Sequence, residues 1–306
     1  MSSTTFYAMG SRIQITFEQD GPEGDAALRR ARIWTRGCEL RLSRFLAESE
    51  LSQLNRQAGQ TVRASGVLRA VLGAALKGAR RTCGLVTPTI LDALEQAGYD
   101  RSFEQIPAGG LGGERKASRS GAQAWRSIEL DRKAETVRLP EGVRIDLGGF
   151  AKGWAADQLR RRLGKIAAVV VDAGGDIAVG GPRRDGSAWR IAIGNPENPG
   201  EDLAVLGLRQ GGVATSGRTQ RQWRQGEKQQ HHLIDPRSGE PALTDVLSAS
   251  VVGPNALEAE IAAKAVLILG SQAGLAWLER FSRLAGLVVR DDGRVLYSRR
   301  FQTLGV

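Results

Sequence analysis

The stretch VRIDLGGFAKGWAADQLRRRLGKIAAVVVDAGGDIAVGG (143–181) decides the fold class. Residues 143–147 read as a strand, Gly148-Gly149 as a tight turn, and about 150–163 as a helix. AAVVVDA (167–173) is continuous enough in apolar residues for a buried strand, and it too ends in Gly-Gly. Working outward, strands are expected at 188–194, 203–209 and 247–253. Pro254-Asn255 leads into an apolar helix over 256–269, then come a helix at 271–283 and a hairpin from 286–290 and 294–298. Upstream, SRIQITFE (11–18) alternates like a strand, and a helix runs from Asp25, its N-cap, to Leu42. A polar loop follows at 43–55, a helix at 66–82, a turn with a short helix at 84–98, and a hairpin over 125–130 and 135–138. Hairpins mixed with strand–turn–helix units argue for an α+β fold, not a doubly wound parallel sheet. The Gly-rich segment at about 100–123, centred on GGLGG, reads as a mobile loop or linker within one domain of two lobes, 1–306.

The chain has 306 residues, 41% hydrophobic and 25% charged, which excludes disorder and a disulfide scaffold. Its net charge is +10, and arginine carries most of it, with only seven lysines among 43 basic residues. The arginines are scattered over helix-like faces, with no groove-reading element, so a nucleic-acid partner is not expected. Against that background a lysine in an apolar or glycine-rich segment stands out, and Lys152 and Lys264 are the two. Cys38 and Cys83 make no framework and are expected as small buried side chains. No apolar run is long enough for a membrane span, and no signal peptide or lipid-attachment cysteine is visible, so the cytoplasm is the expected compartment.

Five segments carry candidate chemistry. IDLGGFAKGWAADQL (145–159) ends a strand at Asp146 and puts Lys152 in the first turns of a helix, a cradle for phosphate or pyrophosphate. A tight turn with Lys152 in solvent fits the same residues. VVVDAGGDIAVGG (169–181) places Asp176 to bond a ribose or to brace its own turn. GGVATSGRTQRQW (211–223) offers a Ser-Gly contact, and HHLIDPRSGEPAL (231–243) holds both histidines of the chain, either of them a natural general base. ALEAEIAAKAVLILG (256–270) sets Glu260 and Lys264 four apart on one helix face, as a helical ion pair or as two groups facing a ligand.

Taken in order, these segments resemble the ApbE family, the FAD:protein FMN transferases. YAMGS (7–11), SRFLAESELSQLN (43–55), GLVTPT (84–89), DLGGFAKG (146–153), AGGDI (173–177), ATSG (214–217) and HLIDPRSGEP (232–241) carry the resemblance. It implies a T-fold-like α+β architecture, two lobes of mixed or antiparallel sheets flanked by helices around an FAD cleft. It implies a transferase that moves FMN from FAD to a Thr or Ser hydroxyl of an acceptor protein with release of AMP, assisted by Mg²⁺. The other reading from the same motifs is an FAD-binding relative with little transfer, a flavin carrier or slow FAD pyrophosphatase. Carried over by position, Met9, Phe45, Leu85, Val86, Thr87, Asp146, Lys152 and Ile234 would bind FAD. Gly149 and Glu260 would serve the metal, and His232 would be the base on the acceptor hydroxyl.

The chain departs from the family pattern at three points. The family's helix usually reads A-D-x-x-x-T, with Asp and Thr on Mg²⁺. Glu260 and Lys264 stand there instead, and Thr87 replaces a usual Asp. A Glu still offers oxygens to a cation, whereas an ammonium has donors only. The expected consequence is a weakened dependence on Mg²⁺, with Lys264 paired to Glu260.

Overall fold

A computed structural model describes residues 1–107 and 123–304. Most of the Gly-rich segment at 100–123 therefore lies outside the described residues. Two compact units emerge, one built from Met1–Gly37, Lys152–Gly217 and Thr244–Val306, the other from Cys38–Ala151 and Arg218–Leu243.

The first unit is organised by an eight-stranded sheet. Its strands are Ser2–Ala8, Ser11–Phe17, Val169–Ala173, Asp176–Gly180, Gln210–Gly217, Val246–Gly253, Ala285–Arg290 and Val295–Tyr297, neighbours in space in that same order. Every pairing is antiparallel. The α+β expectation holds, in its antiparallel form. Alternation of buried and open positions, as in Val169–Ala173, gives the sheet two distinct faces. One face carries Ile13, Ile15, Phe17, Val169 and Val171 against Ala27, Leu28 and Ala31 of the helix Gly21–Leu42 and Ala156, Leu159 and Leu163 of the helix Gly148–Leu163. A separate cluster packs the ribbon Trp189–Gly194 and Asp202–Leu208 with Val179, Val213 and Leu287.

The helix Ala256–Leu269 lies so close to the sheet that Gly212 admits no side chain. A Cβ there would sit 2.3 Å from the Ala256 nitrogen and 2.6 Å from its Cα. Both obstacles are backbone, so Gly212→Ala is expected to lose about 2 kcal/mol or more of stability, read by urea denaturation. Wild-type stability in that variant would contradict the close approach.

The second unit is assembled from short pieces: helices Glu50–Arg56, Gly66–Arg81 and Leu91–Gln96, a three-stranded sheet, and two small ribbons. Ser49 and Ser65 cap the first two helices through their side chains.

Several local expectations need correction. The long first helix begins at Gly21, so Asp25 lies inside it and caps nothing. Ser2–Ala8 is a strand that pairs with Ser11–Phe17, closed by a turn at Met9-Gly10 with both residues at positive φ. Residues 143–147 join no sheet. Asn55 takes the place of a neighbouring strand: its amide donates to the Ile145 carbonyl at 2.9 Å and accepts from the Ile145 N–H at 2.8 Å. Residues 279–283 do not extend the helix Ser271–Leu278. Cys38 is buried as expected, but Cys83 is exposed, because it follows a helix end at φ 54° and so turns its side chain outward.

Candidate active site

In the first unit the site is a knot of four charges. Asp157, on the helix Gly148–Leu163, organises it. Its carboxylate accepts from the Ala256 and Leu257 N–H groups, both at 3.1 Å. Asn255 accepts from the Glu258 N–H at 2.9 Å. These bonds satisfy the open donors of the helix Ala256–Leu269 and fix it against its neighbour. Burial raises the Asp157 pKa, and the two N–H bonds oppose that rise.

That docking brings Lys152 to Glu260 and Lys264. Glu260 is fully buried and Asp176 is 2% exposed. Lys264 Nζ donates to Glu260 Oε1 at 2.9 Å, and Lys152 Nζ lies 3.6 Å from the same oxygen. The Gly153 N–H donates to Glu260 Oε2 at 3.1 Å. Lys152 Nζ also donates to Asp176. Gly153 is required here, because a Cβ would sit 2.7 Å from Glu260 Oε2 and 3.0 Å from the Leu257 Cα. Burial is the largest influence raising the Glu260 pKa, Asp176 adds to it, and Lys264 and Lys152 pull it down. All three groups pointing at this carboxyl are donors, so the ionised form is the one the geometry accepts. Asp176 pairs with Lys152, while Asp172 braces the Gly174-Gly175 turn by accepting from the Gly175 N–H at 2.7 Å.

The residues present do not fit a magnesium ion. Both Glu260 oxygens are engaged by nitrogen donors, and two ammonium groups already balance the two carboxylates. No group of three His, Cys, Asp or Glu side chains among the described residues is placed to hold a metal. Gly149 is the second residue of the helix Gly148–Leu163 and is partly buried. Met9, also in the first unit's sequence, sits in its hairpin turn, partly buried against the core.

In the second unit Asp146 is the hub. It is 8% exposed, its N–H donates to the Pro88 carbonyl at 2.8 Å, and its Oδ1 accepts from the Gly148 N–H at 2.9 Å. Its other oxygen holds Arg44 Nε at 3.0 Å. The Arg44 guanidinium lies over the Phe45 ring at 4.1 Å and the Tyr99 ring at 4.6 Å. Its side chain is 5% exposed, and Nη2 is buried without a hydrogen-bond acceptor among the described residues. Tyr99 continues the stack to Trp223 at 5.3 Å, and Ile234 packs in the same cluster. Val86 and Thr87 are buried, Leu85 partly so, and the Thr87 and Thr89 hydroxyls bond each other at 3.0 Å. This unit therefore gathers Phe45, Thr87, Asp146 and Ile234 through Arg44, Tyr99 and the 87–89 segment. Sequence reasoning missed Arg44 and Tyr99. The one available signal was an arginine beside an aromatic residue in a loop, and 36 arginines dilute it.

The two histidines divide their roles. His231 is buried, with Nδ1 accepting from the Leu233 N–H at 3.2 Å and Nε2 3.1 Å from the Ala242 carbonyl. Nδ1 as acceptor makes Nε2–H the donor, the neutral tautomer. His232 is only partly buried. Burial lowers the His231 pKa below 6.5, Arg218 adds to the lowering, and the Ala242 bond opposes it. The unfolded chain thus binds the proton first. Stability from His231 is complete above about pH 6.5 and is lost as pH falls through that value, by up to about 1.4 kcal/mol per pH unit. Urea denaturation from pH 7.5 to 5 should show this slope reduced in His231→Phe; an unchanged slope would contradict the buried neutral imidazole.

The antiparallel sheet with its covering helices defines an α+β protein. The chain belongs to the ApbE family, whose profile matches residues 9–288. A protein of Treponema pallidum named FAD:protein FMN transferase is 30% identical over 93% of this chain and 82% of its own length. One of Haemophilus influenzae with the same name is 29% identical over 82% of this chain and 75% of its own. Among solved structures, an ApbE protein of Thermotoga maritima superposes with a TM-score of 0.86 at 23% identity, covering 100% of this chain and 99% of that one. The flavinyl transferase ApbE of Pseudomonas stutzeri gives 0.81 at 24% identity over 99% and 96%. These two likenesses establish the fold. No helix among the described residues is long and apolar enough to cross a membrane.

Proposed function

We infer that this chain is an FAD:protein FMN transferase. The observation that carries the reading is the relative of that name aligned over 93% of the chain at 30% identity. The residue set supports it, because each group suits one need of the reaction. Two ammonium groups, Lys152 and Lys264, suit a diphosphate. Arg44, with a buried donor to spare and rings on its faces, suits the acceptor edge of a planar heterocycle beside Phe45 and Tyr99. Met9, Leu85, Val86, Thr87, Asp146 and Ile234 complete the proposed FAD-binding set.

The acceptor hydroxyl oxygen attacks the FMN phosphorus, and a new P–O ester bond forms. The bond from the FMN phosphorus to the bridging oxygen breaks, and AMP leaves with that oxygen. The hydroxyl proton passes to the His232 imidazole. Phosphoryl transfer asks little covalent chemistry of the protein, so positioning and charge neutralisation carry most of the rate. No step here is assigned to a metal ion, since Glu260 and its neighbours do not fit one.

The partners are FAD and an acceptor protein presenting a Thr or Ser hydroxyl. Incubating the purified chain with FAD and an acceptor domain carrying an S/T-x-A-T-like site should give a fluorescent acceptor band that survives denaturation. FAD binding without such a band, and without AMP, would select the flavin-carrier reading.

A further inference from the structure

We propose that this chain neutralises the diphosphate with lysine alone, so that its transfer reaction needs no divalent cation. The proposal rests on the transferase reading and concerns what holds the phosphates. Its ground is which ends of the four-charge knot a ligand can reach. The Glu260 and Asp176 side chains are 1% and 4% exposed, while those of Lys152 and Lys264 are each 15% exposed. The knot hides its negative charge and shows its positive charge. A cation binder would be built the other way round, with carboxylate oxygens open and no donor in their way.

A dication approaching Glu260 would meet the Lys264 ammonium in its path. To reach Glu260 Oε1, it would have to displace an ammonium held at 2.9 Å. To reach Oε2, it would have to displace the Gly153 N–H, a backbone group fixed in a helix. Glu260 thus orients the two lysines, and the lysines meet the ligand. An ammonium acts on phosphate as a point charge, which is the service a divalent ion gives in phosphoryl transfer.

The test separates metal binding from catalysis. Mn²⁺ titration of the purified chain, followed by the loss of the free-ion EPR signal, should show no bound ion up to millimolar concentration. AMP release from FAD in the presence of acceptor should be unchanged by EDTA and unchanged by added Mg²⁺. Lys264→Met should lower AMP release about 100-fold, and Mg²⁺ should not restore it. Lys264→Asn should gain a bound Mn²⁺, because it removes the nearer of the two ammonium groups from Glu260 Oε1 and adds a carbonyl oxygen. One Mn²⁺ bound per wild-type chain, or AMP release abolished by EDTA and restored by Mg²⁺, overturns the proposal. If no AMP appears under any condition, the transferase reading fails, and the wild-type Mn²⁺ titration alone decides this one. That titration also decides it if the Lys264 variants do not fold.

Discussion

Glu260→Ala is expected to lose about 3 kcal/mol of stability and all detectable AMP release. Glu260 is fully buried and touches both Lys152 and Lys264. Deleting it takes from Lys264 its carboxylate partner beside a cavity, leaves Lys152 with Asp176, and frees the Gly153 N–H. Breaking a buried pair from one side costs more than the pair itself contributes. The control is the double variant Glu260→Leu with Lys264→Met, which removes both charges together. It should recover much of the stability and none of the activity. Denaturation midpoints of the two variants make the comparison. If the single and double variants are equally stable, Glu260 and Lys264 are not coupled as described.

His232→Ala should lower FMN transfer by about 10² to 10⁴ while leaving FAD affinity unchanged, since a general base contributes in that range. The effect should shrink at high pH, where the acceptor hydroxyl needs less help. His231 is a poor alternative, because both its ring nitrogens are engaged by the backbone of its own turn. Transfer by His232→Ala at the wild-type rate over the whole pH range would falsify the role. Fluorescence titration with FAD keeps binding apart from chemistry.

Much of this molecule is legible in its sequence where the signal is local. The Gly174-Gly175 turn, the helix beginning at Ala256 and the separate strands Trp189–Gly194 and Asp202–Leu208 follow from periodicity and turn residues, whereas the pairing of those strands does not. The sheet order was not legible, since Ile13 pairs with Ala173 across most of the second unit's sequence. Residues 143–147 show why period alone misleads. Their pattern is that of a strand, yet the partner of Ile145 is a side chain, Asn55, ninety positions away. Motif resemblance located Glu260 and Lys264 and raised the question of the metal. It could not show that Lys152 and Gly153 occupy the remaining approaches to Glu260, which depends on two helices docked through Asp157. Arg44 was invisible for a related reason: its distinction is a place against Asp146, Phe45 and Tyr99, and nothing in the spelling of the loop encodes it.

The central claim is that AMP leaves only as FMN is joined to an acceptor. The most direct measurement is the ratio of AMP released, by chromatography, to FMN covalently attached, by mass spectrometry of the acceptor. The account predicts one AMP for each FMN attached, and no AMP when the acceptor hydroxyl is replaced by alanine. AMP and free FMN formed equally well without that hydroxyl would contradict it.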